Sequence, residues 1–206
     1  MANQNANRLN TLFLPVMVCF VWVSYSFAAL AQTNTQLQQQ LLKMAEQNRQ
    51  IQQDISHYAP TDIPPALQSL TSNIENLHSQ TLKEIIALHG WPSKSQVGEK
   101  GVLAAFSLAQ HSNDLAFQQN LLPLIIQSYI NKDGIEGKDV AEFTDKVSIK
   151  LGKKQVFGTQ AKVVNDKVIF APIKNRDSVD QLRNQMGMPP LAEFERSLER
   201  LNNLSQ

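Results

Sequence analysis

The sequence predicts a mainly α-helical protein: a helical bundle with one small β-hairpin and an N-terminal helical hairpin as an arm. Two observations predict it. Apolar residues recur at helical spacing over most of the chain. The period shortens to that of a strand in one place, near residues 155–171.

The elements follow in order. Residues 11–31 carry no charge, and the apolar run from Leu12 to Val23 fades into Ala28-Ala29-Leu30-Ala31. Small residues at that point suit a signal peptidase, so residues 1–31 are expected to be a cleaved secretory signal, with the protein periplasmic or secreted. The alternative is an inner-membrane anchor made of uncleaved residues 11–31, which are long enough to span a bilayer. Cleavage removes Arg8 and no acid, and it removes Cys19, the one thiol of the chain. The mature chain is then cysteine-free and electrically balanced, which excludes thiol catalysis and disulfide staples.

The arm is expected over residues 32–89. Residues 32–53 hold nine Gln. Leu37, Leu41, Met44, Asn48, Ile51 and Ile55 nevertheless keep a 4-3-4-3-4 rhythm, the seam of a helix, with Asn48 its one polar member. A Pro-containing turn at residues 60–65 leads into a second stripe, Leu67, Leu70, Ile74, Leu77, Thr81, Ile85 and Leu88, closed by Gly90. Such a hairpin either packs on its own body or uses its Gln-rich face, residues 34–58, for self-association.

The body is expected over residues 90–206. Val102 to Ala109 is apolar nearly all round and predicts a buried central helix. Asp114 suits a helix cap, and Pro123 predicts a kink or a start near Asn120. Val140, Phe143, Val147 and Leu151 give another helical face ending at Gly152. The β-rich stretch 155–164, the turn at Asn165-Asp166 and Lys167–Phe170 predict the hairpin. Ser178-x-x-Gln181 has the pattern of a capping box before a short helix, and Leu191, Phe194, Leu198 and Leu201 line the last one.

Composition bounds the chemistry. The 206 residues carry 19 Lys+Arg against 18 Asp+Glu, too even a balance for a nucleic-acid binder. The four histidines, His57, His78, His89 and His111, show no metal-ligand spacing, so neither a metal nor another cofactor is expected. No phosphate loop or nucleophile-elbow motif occurs. His111 stands out, at the polar end of an apolar helix with Asp114 three residues on. A carboxylate sharing a hydrogen bond with imidazole fixes its tautomer and raises its basicity. The bland alternative is that Asp114 caps a helix and His111 satisfies a carbonyl.

Gly90-Trp91-Pro92, Gln110-His111-x-x-Asp114, Phe117-Gln118, Asp145-Lys146-Val147, Gln155-x-Phe157-Gly158-Thr159-Gln160 and Gly187-Met188-Pro189-Pro190-Leu191 together resemble an uncharacterised bacterial family of unknown function, of the DUF6624 type. The resemblance covers about residues 80–195. It departs at Lys146, where the family usually has Arg, at Phe157, where it usually has Tyr, and at Phe106, where it often has Trp. It implies a fold but no reaction, and it directs attention to Gln110, His111, Asp114, Asp145, Gln155, Thr159 and Gln160. Those residues either converge on a polar cleft or form a buried network tying the hairpin to the helices.

Two functions follow as expectations. One is an exported helical binding domain, with Trp91, Gln110, Gln155, Thr159 and Gln160 contacting a small molecule, peptide or glycan. After signal cleavage it has no membrane partner. The other is a metal-independent hydrolase or transferase, with His111 as general base and Asp114 or Asp145 orienting it.

Overall fold

The computed structural model describes residues 16–59, 61–165 and 167–204; for residues 16–34, 203 and 204 the description is of the backbone alone. The expected signal segment falls on residues outside this description, apart from the helical backbone from Val16 onward. Seven helices are described: α1 (Val16–Ser56), α2 (Pro65–His89), α3 (Lys94–Gln110), α4 (Leu115–Ile130), α5 (Gly137–Lys150), α6 (Val179–Gln185) and α7 (Leu191–Leu204). One antiparallel hairpin, β1 (Ala161–Val164) and β2 (Lys167–Phe170), separates α5 from α6, with Ala161 opposite Phe170 and Val164 opposite Lys167. The protein is therefore mainly α with a small β-hairpin.

The arm and the body share one core. Leu41 and Met44 of α1 and Leu82 and Ile85 of α2 pack with Val97, Val102, Phe106 and Leu108 of α3, and with Leu121, Ile125, Val140 and Phe143 beyond. The α1 seam is thus used inside the chain: Leu41, Met44, Asn48 and Ile51 are all buried. The second stripe fares differently. α2 buries Thr71, His78, Ser79, Leu82 and Ile85, and leaves Leu70, Leu77 and Leu88 in solvent. The apolar rhythm there marks a face that the body covers only in part.

Asn48 and His78 meet where α1 crosses α2. His78 Nδ1 lies 2.7 Å from the Asn48 carboxamide, and Nε2 lies 3.2 Å from that of Gln47. A neutral imidazole carries one N–H, and Nδ1 donates it to Asn48 Oδ1, the nearer oxygen, which leaves Asn48 Nδ2 buried and unpartnered among the described residues. Burial holds His78 below the ordinary imidazole value, which keeps it neutral.

Local details refine the expectation. Gly98, at φ 65°, breaks α3 between its first turn and the buried stretch, with Gln38 Nε2 3.0 Å from where a Cβ would sit. α4 runs from Leu115 to Ile130, the span of its apolar pattern, capped by the Asp114 side chain and continuing through Pro123 rather than starting at Asn120. α6 forms after Ser178, but the Ser178 side chain makes no capping bond. In the stretch expected as strand, Gln155 makes an isolated parallel bridge to Ile173, residues 156–160 form a compact turn, and the hairpin ladder starts at Ala161.

Candidate functional site

The polar residues singled out by the sequence separate into two groups. The first surrounds Asp145, which is fully buried on α5. Its carboxylate accepts from Val156 N at 2.6 Å, Phe157 N at 3.1 Å, Thr159 N at 3.0 Å and Thr159 Oγ1 at 3.0 Å. Three backbone N–H groups converging on one carboxylate form an anion nest supplied by the chain itself. Gly158 makes the turn possible: its φ is +69°, and a Cβ there would lie 2.8 Å from Leu191 Cδ1.

Gln155, also fully buried, spends its whole carboxamide on the same turn. Nε2 donates to Gln160 O at 2.9 Å and to Ala171 O at 2.7 Å, while Oε1 accepts from Gln160 N at 2.8 Å. Arg183 of α6 closes the group from the far side. Its Nη1 donates to Phe157 O at 2.8 Å, its Nε donates to Pro189 O at 2.7 Å, and its guanidinium lies over the Phe194 ring. Burial lowers the Arg183 pKa against the pull of Asp180 and Asp145. Gln160 Nε2 donates to Thr159 Oγ1, and Gln160 reaches a groove of about 450 Å³ at the hairpin base, shared with Lys162, Ile169, Phe170 and Pro172.

The second group surrounds His111, the C-cap of α3. Its side chain is 33% exposed, so it is not sealed in the core. The Asp114 carboxylate is engaged elsewhere: it caps α4 through Phe117 N at 2.9 Å and meets Lys83 Nζ at 2.7 Å. The carboxylate facing the imidazole belongs to Glu75 of α2, with Oε1 at 3.9 Å from Nδ1. Glu75 accepts from Asn113 Nδ2 at 2.9 Å and from Gln52 Nε2 at 3.3 Å. Burial pushes Glu75 up, against the hydrogen bond from Asn113 and the charges of Lys146 and Lys150. Burial and then the Lys146 ammonium push His111 down. His111 is thereby biased toward its neutral form and faces the Glu75 carboxyl beyond hydrogen-bond reach.

The α3 C-terminus explains Lys146 and Gln118. Gln118, fully buried, donates to Ala109 O at 3.0 Å and Gln110 O at 3.3 Å, and Lys146 Nζ donates to Gln110 O at 3.1 Å. These are terminal carbonyls of a helix, where a cation is favoured. Lys150 Nζ completes the set on Gln118 Oε1 at 3.1 Å. Trp91 stands apart from both groups: it packs against the hydrophobic core, with its indole Nε1 buried and unpartnered among the described residues.

A family model described as Family of unknown function (DUF6624) matches residues 35–205. The chain belongs to this family. No curated protein and no solved structure matches it. The DUF6624 match runs through both polar groups and through the α1–α2 hairpin. Glu75 and Arg183 escape a reading by motif, because they lie far along the chain from the residues they serve; Gln118 belongs to the Phe117-Gln118 pair of the resemblance, but its role at the α3 terminus was not legible there. Glu75 does carry one signal, as the single charged residue between Pro65 and Leu82. Among the described residues, no three His, Cys, Asp or Glu side chains are grouped to hold a metal ion. No described helix is long and apolar enough to cross a membrane.

Proposed function

We propose that the protein is an exported helical domain that binds its ligand non-covalently in the groove at the base of the β-hairpin. One observation carries the reading. Asp145, Gln155 and Thr159 are spent on holding the 155–160 turn, and that turn sets Gln160 on the rim of a mostly apolar groove. Buried residues engaged in internal hydrogen bonds position a surface rather than present a reacting group to a ligand. The groove offers Ile169 and Phe170 for apolar contact, with Gln160 and Lys162 as polar markers, a composition suited to an extended apolar peptide segment. Support for export comes from the uncharged run 11–31 and its small residues before Gln32.

The test is an NMR titration of the chain with a panel of apolar-rich peptides and, separately, with oligosaccharides. The expected result is shift changes at Gln160, Lys162 and Ile169, lost in Ile169→Asp. Changes confined to His111, Glu75 and Lys146 would overturn it. Export is checked by sequencing the N-terminus of protein recovered outside the cytoplasm: Gln32 is expected, and Met1 defeats the signal reading.

A second reading is favoured by the half-open position of His111. A neutral imidazole between the Glu75 carboxylate and the Lys146 ammonium has the state a general base needs, and a metal-independent hydrolase or transferase would use it. Glu75, not Asp114, is then the carboxyl that faces the ring. Turnover of any ester or glycoside panel member that is abolished by His111→Ala and retained in Asp114→Asn would establish it.

A further inference from the structure

The outer face of α2 is an apolar stripe without a partner in this chain. Leu70, Leu77 and Leu88 are 50%, 63% and 78% exposed. They belong to the 3-4 rhythm Leu67, Leu70, Ile74, Leu77, Thr81, Ile85, Leu88, whereas the body takes the face of Thr71, His78, Ser79 and Leu82. Ile85 is buried and Leu67, Ile74 and Thr81 are half-buried, so the stripe is open chiefly at its three exposed leucines. A helix with two apolar faces has two neighbours to satisfy, and a heptad-type rhythm is the seam a second helix fits.

We infer that the second helix is α2 of another copy of this chain, packed antiparallel about a two-fold axis beside Leu77. Three features select that occupant and that direction. The stripe is self-complementary: turned end for end about a point between Leu77 and His78, it sets Leu67 opposite Leu88 and Ile74 opposite Thr81. An isologous contact requires that property. The residues flanking the leucines, Ser69, Asn73, Asn76 and Gln80, are uncharged, and the one charge in that stretch, Glu75, is held by Asn113 and Gln52. Two copies therefore meet without opposing like charges, and loss of charge marks the centre of an interface. Glu84 is the one other carboxylate on α2, and it is exposed. Parallel packing would set it against its own copy. Antiparallel packing separates the two by about 20 Å along the axis, roughly two Debye lengths in physiological salt.

This surface is distinct from the Gln-rich face of α1, on the helix whose apolar seam is buried within the chain. It lies on a different element from the hairpin groove and stands whether or not that groove binds.

Light scattering on the full chain at about 100 µM, where micromolar association is populated, is expected to give a dimer. Leu77→Lys is expected to give a monomer with unchanged helical circular dichroism. A monomeric wild-type chain, or a dimer that persists in Leu77→Lys, overturns the inference. A second measurement does not depend on that variant folding. In a Cys19→Ser background, Leu77→Cys is expected to form a disulfide-linked dimer under mild oxidation, and Lys153→Cys is not. Equal cross-linking at both positions, or none at Leu77→Cys, also overturns it.

Discussion

Asp145 shows how a buried carboxylate serves structure. It has no exposed surface, and four donors surround it. Asn at this position would turn an NH2 group toward N–H and O–H donors that need an acceptor. Asp145→Asn is therefore expected to cost about 3 kcal/mol, the scale of a broken buried charge-assisted network, read by urea unfolding. Thr159→Val removes one donor of the four and should cost less, about 1 kcal/mol. That ordering distinguishes a network centred on the carboxylate from one centred on the hydroxyl. The sequence flagged Asp145, Gln155, Thr159 and Gln160 through a family resemblance but did not reveal their roles. The same residue types would line a cleft or tie down a turn, and only the placement of the backbone N–H groups separates the two. The His111–Asp114 spacing suggested a pair that Lys83 and the α4 N-terminus take apart.

At the scale of the element, the hairpin of α1 and α2 carries its own registry device. The one polar member of the α1 seam, Asn48, finds the buried His78. A polar pair inside an apolar seam fixes which residues face each other, at a cost in stability. Asn48→Leu should destabilise by about 1–3 kcal/mol, because it strands a buried ring nitrogen. Asn48→Leu combined with His78→Leu should recover most of that loss, and a double-mutant cycle by thermal melting checks it. The same ring sets a pH dependence. His78 and His111 are both held below the ordinary imidazole value of 6.5. The unfolded chain then binds more protons than the folded one, so stability is full above 6.5 and falls as pH drops through that value. Glu75, pushed above its ordinary 4.5, acts with the opposite sign at lower pH. The melting temperature should decline between pH 7 and pH 5, and the decline should shrink in the double variant. The helices themselves were legible because their apolar periods are long. The face that α2 buries was not, since Thr71, His78 and Ser79 carry no apolar signal, while the leucines that do carry one point outward.

At the scale of the whole molecule, α1 to α5 share one core, and the hairpin with α6 and α7 is joined to it through Asp145, Arg183 and the 155–160 turn. The hairpin is a two-stranded sheet with Val163, Val164 and Ile169 exposed. Each strand pairs on one side, so its other side presents open backbone N–H and C=O groups to any extended chain that drifts near. Lys162 and Lys167 lie among those residues and are exposed as well. Their ammonium groups repel a second hairpin approaching in register. Neutralising both, as in Lys162→Thr with Lys167→Thr, should leave the fold of each chain intact yet turn a clear concentrated solution into one that thickens into thioflavin-positive ribbons, with two cations acting as the brake on runaway stacking.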